Sequence, residues 1–447
     1  MPLRTPEQYR ASLKDGRTVY YKGERVPDVT ENPVIQVAIE HASIDYRMAE
    51  DPAWKDLAIV TDENAGQRIS RYYQLPRNSD DLLKRSALIE QATRLGRTLV
   101  VLIKEIGTDA LFALHILAHQ MDGKLGTKYL ERVRRYHAYC RDNDLALAVA
   151  QTDVKGDRSL APWEQADPDA YVHIVGESAE GITVRGAKVH TSVSTNANEI
   201  IVLPTRALGE KDRDYAVSFA VPANAKGLKL IAAPYGAARM DVFDHPISGQ
   251  HRMMETLTVF DDVLVPWDRV FLKGEWQYAG PLALTFVEFH RFTAISYKLP
   301  LVDLLVGCAR LMAEYNGLER VSHVRDKMIH LIGYAETLRA LTHMAALHCK
   351  LVEPGIAVPN QMLVNIAKHH FASNYHQAVQ WVQDISGGLV VTGPSGRDLK
   401  SPEIGGYQEV LAVHAEGSIE AEKLAIFRSY DSKSAYEYAK WVAGIQD

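Results

Sequence analysis

Two polar stretches, QTDVKGDR at residues 151–158 and VRGAKVHTS at residues 184–192, decide the predicted fold. Both lie in the part of the chain where short β-branched and aromatic runs replace helical periodicity. Polar segments at a strand edge align backbone and hydroxyl donors above an apolar strand, which suits a flat heteroaromatic cofactor. The competing interpretation is a charged turn followed by an exposed strand end, and short motifs alone do not separate the two.

The β-rich region extends from about residue 148 to residue 273, between two helical regions. Its short strands, bounded mostly by glycine, proline, asparagine or aspartate, predict a small barrel or sandwich. The predicted strands are 171–175, 182–184, 199–203, 215–221, 256–260 and 263–266. The expected fold class is therefore a multidomain α+β protein, divided into a mainly helical domain (1–147), a central β domain (148–273) and a C-terminal helical bundle (274–447).

The helices are predicted from apolar residues at helical spacing and from capping residues such as Thr5 and Asn78. A short strand ending in the Lys22-Gly23 turn precedes the long N-terminal helices. The long helices are expected at 79–105, 108–120, 281–297, 300–316, 319–352, 359–384 and 417–442. Pro354-Gly355 marks the break between two helices of the bundle.

Composition excludes several classes of protein. The chain has 447 residues, enough for two or three packed units, with 47% hydrophobic and 24% charged residues. A net charge of -6 and a pI near 6.3 argue against nucleic-acid binding, which needs a clustered basic surface. The three cysteines show no metal spacing, and no apolar run of about 18 residues suits a membrane span. We expect a soluble cytoplasmic protein.

Further motifs follow in order along the chain. They are YRASLKDGR at 9–17, TDVKGDR at 152–158, RGAKVH at 185–190, DYAVSFA at 214–220, VFDDVLVPWDR at 259–269, HR at 290–291, SHVRDK at 322–327, DISGG at 384–388 and VHAEGS at 413–418. With these motifs, nearly the whole chain resembles the 4-hydroxyphenylacetate 3-hydroxylase / 4-hydroxybutyryl-CoA dehydratase family. That resemblance implies an acyl-CoA dehydrogenase-like flavoprotein fold.

The resemblance also implies a flavin, either FAD or reduced FAD or FMN supplied by a partner reductase. The residues that it assigns to the flavin ring and its chain are Gln151, Thr152, Asp153, Lys155, Asp157, Arg158, His190, Thr191 and Ser192. Arg158 would donate charge-assisted hydrogen bonds to the pyrophosphate. Asp384, Gly387 and Gly388 would approach the dinucleotide of a neighbouring subunit, which implies a homotetramer, or a homodimer. A plain loop between two helices would also explain the glycine pair.

The dehydratase branch of the family holds a [4Fe–4S] cluster with three cysteines and one histidine. His290 matches the histidine, whereas the cysteine positions fall on Val101, Glu105 and Tyr297. Because none of these three can supply a thiolate, we expect no iron–sulfur cluster and no other metal. A tyrosine and a glutamate of that branch are also replaced, by Ala294 and Leu411.

The monooxygenase branch surrounds its phenol with an arginine, a tyrosine and a histidine. The corresponding positions are approximately Ile106, Ala110 and Val149, and Lys104 could replace the arginine. The cofactor scaffold is thus retained while both known catalytic sets are altered. A phenolic substrate does not follow residue by residue, so the small organic substrate stays open.

The candidate catalytic residues are Glu105, Glu255, His290 and Lys298, which the resemblance projects toward one cavity. Carboxylate, imidazole and amine groups in a partly dry site suit general acid–base chemistry. Structural interpretations compete with this hypothesis: His290 could serve helix packing, and Lys298 could form an ion pair with Glu255. Glu105 and His290 are too few ligands to predict a metal ion.

Three functions remain from these observations. The first is a two-component monooxygenase that uses reduced flavin, supported by the lack of a G-x-G-x-x-G fingerprint after a strand. The second is a dehydratase or isomerase without a cluster, acting on a hydroxyacyl- or enoyl-CoA thioester. The third is a non-catalytic flavin-binding or assembly subunit. A segment shorter than in the family, between Gly406 and Val413, could widen the cavity or alter assembly.

Overall fold

The structure is a computed structural model that describes residues 3–62, 66–235, 238, 241–242, 244–387 and 395–404. Helices build its two ends and two sheets build its centre. The helices are α1 (Pro6–Ala11), α2 (Pro33–Ala42), α3 (Ile44–Glu50), α4 (Lys55–Ala58), α5 (Ser79–Leu95), α6 (Glu105–Leu125), α7 (Tyr129–Asp142), α8 (Ala279–Ser296), α9 (Leu299–Tyr315), α10 (Ser322–Leu347), α11 (Gln361–Ser386) and α12 (Gly396–Leu399).

The strands lie mostly between α7 and α8. They are β1 (Val19–Tyr21), β2 (Glu24–Val26), β3 (Ile59–Thr61), β4 (Arg68–Ser70), β5 (Leu147–Ala150), β6 (His173–Glu177), β7 (Gly181–Lys188), β8 (Glu199–Val202), β9 (Val217–Pro222), β10 (Leu228–Pro234), β11 (Met254–Pro266), β12 (Val270–Lys273), β13 (Lys350–Val352) and β14 (Ile356–Val358). The predicted order of helical, β and helical sequence is confirmed.

The central strands form two open sheets. One has six strands in the order β2-β1-β10-β11-β7-β6, and the other has four in the order β12-β9-β8-β5. The rings of Phe219 and Phe260 connect them, with centroids 5.6 Å apart. The arrangement therefore resembles the predicted sandwich, and the described strands close no barrel.

The N-terminal segment completes the six-stranded sheet. Strand β1 pairs parallel to β10, with Val19 opposite Leu230, and antiparallel to β2. A boundary at residues 147/148 would also fall inside β5, which begins at Leu147. The division into three domains stays a prediction, because the sheet draws strands from both sides of that boundary.

The helix predicted over residues 79–105 ends earlier, at Leu95. Gly96 follows, where a Cβ atom would lie 2.4 Å from the Leu99 carbonyl oxygen. Arg97, Thr98 and Leu102 then adopt positive φ angles, which a helix does not allow. The chain is therefore irregular until α6 begins at Glu105, three residues before the predicted start.

The bundle of α8–α11 contains a second difference. The helix predicted over 319–352 ends at Leu347, and Lys350–Val352 instead pairs with Ile356–Val358 in a hairpin. Pro354-Gly355 forms its turn, consistent with the predicted break. The predicted helix 417–442 and the shortened segment 406–413, with Leu411, lie outside the described residues.

Buried apolar clusters join these parts. One connects α2 and α3 with the sheets, another surrounds α6, and another fills the bundle. In the part of the chain described, the helical stretch Trp276–Tyr315 is long and apolar enough to cross a membrane, but 78% of its apolar window is buried inside the protein. Such burial is typical of core helices in a globular molecule.

Candidate active site

A cavity of about 460 Å³ lies where the N-terminal part, the central sheets and the bundle meet. The irregular segment 98–102 and Ile106 line one side of it. The predicted cofactor residues that line it are Gln151, Thr152, His190 and Ser192. From the bundle, His290 and Lys298 line it together with an aromatic wall of Phe286, Tyr297, Phe371 and Tyr375. The structure thus brings six predicted site residues to one cavity, which we call the site cavity.

Lys188 holds the segment after β5 in place. Its Nζ donates hydrogen bonds to the carbonyl oxygens of Gln151 (2.8 Å) and Leu203 (3.0 Å), and it pairs with Asp153 Oδ1 at 2.6 Å. Only 3% of Lys188 is exposed. Asp153 therefore anchors the segment through an ion pair. Lys188 was missed as a site residue, although the alternating pattern of β7 puts it on the inward face.

The second polar segment, residues 190–193, is an irregular turn beside β11. His190 and Val193 have φ angles of 55° and 57°, in a region that non-glycine residues rarely adopt. The backbone N–H groups of Thr191 and Val193 donate to the carbonyl oxygens of Thr256 (3.2 Å) and Met254 (2.9 Å). Strained residues of this kind cluster at functional sites, and this turn places the exposed His190 side chain at the site cavity.

Glu255 lies behind that turn. Ser192 Oγ donates a hydrogen bond to Glu255 Oε1 at 2.6 Å. Burial raises the pKa of Glu255, while the Ser192 hydrogen bond and the nearby His190 partly oppose the rise. Glu255 Oε2 and Thr191 Oγ1 are buried and have no hydrogen-bond partner among the described residues. Neither residue is part of the site-cavity lining, and such buried polar groups left without partners cost free energy.

His290 lines the site cavity from α8. Its Nδ1 lies 3.4 Å from Asp109 Oδ2, and its ring stacks on Phe286 with centroids 5.3 Å apart. Asp109 is buried, and its Oδ1 accepts hydrogen bonds from Arg85 Nη2 (2.7 Å) and Thr293 Oγ1 (3.0 Å). This contact orients the ring and leaves Nε2 for the cavity. Asp109 was also missed, although it directly precedes the apolar run 110–114 inside a helix.

Lys298 contributes an amine to the lining of the site cavity. Its Nζ lies 4.4 Å from the Tyr297 ring centre and 4.9 Å from that of Phe371. Burial, with a smaller contribution from Lys368, lowers the pKa of Lys298 to about 8. No described carboxylate pairs with it, so the ion pair with Glu255 that the sequence left open is not formed. Lys298 can therefore exchange a proton near neutral pH.

Glu105 requires a correction, because its side chain does not reach the site cavity. It is fully buried at the start of α6, where Tyr72 donates to Oε1 (3.4 Å) and the Lys104 N–H donates to Oε2 (3.1 Å). Burial raises its pKa. Lys104, the possible replacement for the phenol-binding arginine, is also buried and pairs with Asp144 at 2.6 Å. Both side chains are held inside the N-terminal part, away from the cavity lining.

The remaining predicted cofactor residues are not brought to the site cavity of this chain. Lys155, Asp157 and Arg158 lie on an exposed loop, where Asp157 Oδ1 accepts a hydrogen bond from the Ser159 N–H at 2.9 Å. At the end of α11, Asp384 is exposed and pairs with Lys327. Gly387 ends the helix with a φ of 75°, and Gly388 lies outside the described residues. The contact of Asp384, Gly387 and Gly388 with the dinucleotide of a neighbouring subunit stays a prediction, as do the flavin contacts of Lys155, Asp157 and Arg158.

The donor set at the site cavity suits a flavin better than an iron–sulfur cluster. Cys140 and Cys308 are buried in α7 and α9, and Cys349 follows α10; none of them lines the cavity. Cluster ligation requires thiolates, so these residues do not fit such a cluster. Gln151, Thr152, His190 and Ser192 line the cavity with hydrogen-bonding groups, which fit a heteroaromatic ring bearing polar edges.

Comparison with known proteins identifies the family. The model of the 4-hydroxyphenylacetate 3-hydroxylase N-terminal region matches residues 5–272, and that of the C-terminal region matches residues 279–410. The chain is 36% identical over 421 residues to 4-hydroxybutyryl-CoA dehydratase/vinylacetyl-CoA-Delta-isomerase of Clostridium aminobutyricum, covering 90% of this chain and 83% of the relative. It is 31% identical over 432 residues to the 4-hydroxyphenylacetate 3-monooxygenase oxygenase component of Thermus thermophilus, covering 95% and 87%.

Solved structures show the same two branches. An archaeal 4-hydroxybutyryl-CoA dehydratase from N. maritimus matches with a TM-score of 0.88 and 28% identity, covering 100% of this chain and 96% of the other. The oxygenase component of 4-hydroxyphenylacetate 3-monooxygenase complexed with FAD matches with a TM-score of 0.85 and 27% identity, covering 98% and 92%. Butyryl-CoA dehydrogenase from Megasphaera elsdenii, 14% identical at a TM-score of 0.51, shares the fold. The chain, with its acyl-CoA dehydrogenase-like fold, therefore belongs to the 4-hydroxyphenylacetate 3-hydroxylase family, as its motifs predicted.

Proposed function

We propose that this protein is an FAD-dependent enzyme and the oxygenase component of a two-component monooxygenase, which hydroxylates a small aromatic or related organic molecule. The observation that carries the proposal is the site cavity, where a polar turn of the central sheets faces an aromatic helical wall. A similar oxygenase component has been solved with FAD. Reduced flavin would come from a separate reductase, in the cytoplasm, and the enzyme would assemble as a homotetramer or homodimer.

The flavin ring would be held by the two polar segments. Gln151 and Thr152 offer hydrogen-bonding groups from one segment, and His190 and Ser192 offer them from the other. Bound in reduced form, the flavin supplies the chemistry with dioxygen. The protein's own contribution is the aromatic wall of Phe286, Tyr297, Phe371 and Tyr375, whose apolar rings exclude water from the reacting groups.

The substrate's polar group would be met from the bundle side. Ile106 and Val149, which the resemblance matches approximately to polar residues of the phenol-binding branch, line the site cavity with apolar surface. His290 and Lys298 also line this cavity, and in contrast they are polar and offer an imidazole and an amine. With its pKa near 8, Lys298 Nζ can hold or accept the proton of a substrate hydroxyl at neutral pH.

Turnover with and without dioxygen tests this proposal. Purified protein is titrated with oxidised and chemically reduced FAD and FMN under anaerobic conditions, and dioxygen is then added with a panel of phenols and other small aromatic acids. We expect reduced flavin to bind and hydroxylated product to form only with dioxygen. Lys298→Met should lower kcat by roughly 10²-fold, the usual contribution of a general acid or base.

Lys124→Met is the matched control, because Lys124 is exposed near the end of α6 and does not line the site cavity. It should keep the kcat of the unmodified enzyme. Flavin that fails to bind in either redox state contradicts the proposal, and so does product that forms equally without dioxygen.

One contact favours a second candidate, a dehydratase or isomerase that works without an iron–sulfur cluster on a hydroxyacyl- or enoyl-CoA thioester. The buried Glu255 carboxyl, fixed by Ser192, has one oxygen without a partner among the described residues and could move a proton at Oε2. Val101, Glu105 and Tyr297 replace the cluster cysteines. This function predicts solvent deuterium uptake into a CoA thioester without dioxygen, and Glu255→Gln should abolish that uptake.

A further inference from the structure

A second cavity, of about 380 Å³, lies in the N-terminal part between α6, α7 and the β13–β14 hairpin. Its basic lining residues are Arg77, Arg134, Arg141, His115 and His137, and we call this cavity the arginine pocket. It shares no lining residue with the site cavity, although α6 contributes to both. The proposed function makes no use of it.

The arginine pocket carries an excess of positive charge. Asp62 is the carboxylate among its lining residues, and it already pairs with Arg141 at 2.9 Å. Arg77 is positioned by hydrogen bonds from its Nη1 to the carbonyl oxygens of Pro354 (3.3 Å) and Gly355 (2.5 Å). Arg134 has no hydrogen-bond or carboxylate partner in the described part of the chain. Two guanidinium groups, those of Arg77 and Arg134, thus remain for an anion.

Two buried histidines fix the hydrogen-bonding character of the pocket floor. His137 Nε2 lies 2.9 Å from the Tyr73 carbonyl oxygen, which can only accept, so this nitrogen carries the proton. His137 Nδ1 then accepts from His115 Nε2 at 2.9 Å. Burial lowers the pKa of His137 to about 4 and that of His115 well below its usual range, so both rings are neutral near pH 7. His115 Nδ1 is consequently a hydrogen-bond acceptor.

We propose that the arginine pocket binds a small phosphate monoester. Below its second pKa of about 6 the phosphate keeps one proton, and it then offers oxygen acceptors to Arg77 and Arg134 and one O–H donor to an acceptor such as His115 Nδ1. A sulfate ester has the same shape but no such proton. The apolar side of the pocket, which includes Val60, Ile69 and Ile356, leaves room for an organic group that inorganic phosphate lacks.

Isothermal titration of the full-length, FAD-saturated protein at about pH 5.5, where the monoester keeps one proton, tests the proposal with phenyl phosphate, phenyl sulfate and inorganic phosphate as probes. We expect phenyl phosphate to bind on the order of tenfold more tightly than either of the others, the effect of one hydrogen bond or one small apolar contact. Arg134→Gln should weaken the binding of phenyl phosphate by at least about tenfold, as expected for a charge-assisted contact.

Arg135→Gln is the matched control, because Arg135 is the neighbouring residue on α7, pairs with Glu131 and does not line the pocket. It should leave the affinity for phenyl phosphate unchanged, and thermal unfolding should show that both variants fold. Equal binding of phosphate and sulfate esters overturns the proposed acceptor, and equal binding of inorganic phosphate overturns the ester. No binding, or binding insensitive to Arg134→Gln, overturns the site. None of these results affects the proposed monooxygenase, whose residues lie in the other cavity.

Discussion

Replacing Lys298 with methionine separates the electrostatic cost of a buried amine from its use in catalysis. Methionine keeps an unbranched apolar chain against Tyr297 and Phe371 and removes the charge. Because burial lowers the pKa of Lys298 from 10.5 to about 8, folding is opposed whenever the amine is protonated. At roughly 1.4 kcal/mol for each pH unit, the full shift corresponds to about 3 kcal/mol.

The sign of the pH dependence follows from proton binding. Between about pH 8 and pH 10.5 the unfolded chain keeps the Lys298 proton, whereas the folded protein has lost it. Since the unfolded state binds more protons in this window, the free energy of unfolding rises with pH. From about pH 7 to about pH 9.5 this group should add about 2 kcal/mol to the unmodified protein and nothing to Lys298→Met.

Urea unfolding followed by tryptophan fluorescence at the two pH values measures the effect. Other lysines and tyrosines titrate in the same range, so the quantity of interest is the difference between the unmodified protein and the variant. Lys155→Met, which removes an exposed amine, is the control and should follow the unmodified protein. Parallel pH profiles for Lys298→Met and the unmodified protein would refute the reasoning, as would a variant less stable at pH 7.

Three further substitutions probe the contacts around the site cavity. Ser192→Ala removes the hydrogen bond that lowers the pKa of Glu255, so an NMR titration should show that this pKa is raised further. Ser192→Thr keeps a hydroxyl at this position and should leave the pKa of Glu255 unchanged. An unchanged pKa in the alanine variant would contradict the role of this hydrogen bond. Asp109→Ala leaves Arg85 buried without its carboxylate and should lower the free energy of unfolding in urea by about 3–5 kcal/mol. Thr293→Val, which removes only a hydrogen bond to Asp109, should lower it by about 1 kcal/mol. Equal losses in the two variants would argue against the ion pair. Gly107→Ala places a Cβ atom 2.1 Å from Leu147 Cβ and should lower the free energy of unfolding by about 1–3 kcal/mol. Gly123→Ala adds a Cβ atom in open space and should not lower it. An unchanged stability of Gly107→Ala would show that α6 can move away from β5.

Hydrophobic periodicity and turn residues were sufficient to predict the order of the helical and β regions and most of the helices and strands. Thr5 caps α1 as predicted, in a capping box with Gln8, and Asn78 caps α5. The errors fall where tertiary contacts override local preference. Helix α5 ends at Leu95 because Gly96 packs too closely against Leu99 for a side chain, and the following residues turn to line the site cavity.

The site was predictable in its polar segments and less so in the direction of individual side chains. The resemblance projects His290 and Glu105 toward the same cavity, but it does not show that Glu105 turns inward to Tyr72 at the first turn of α6. Buried supports such as Asp109 and Lys188 carry no motif of their own. Each is recognisable only as a charged residue at an inward position, whose partner the fold supplies from a distant part of the chain.

The parallel pairing of β1 with β10 has a consequence for dissecting the molecule. Val19–Tyr21 covers one long side of Leu228–Pro234, so the central sheets are complete only when the first thirty or so residues, by rough count, are present. A fragment starting after that hairpin would expose unpaired amide and carbonyl groups along β10, which promote pairing with a second chain. Expression trials that trim the beginning of the chain should therefore yield insoluble material, even though every residue of the site cavity is retained.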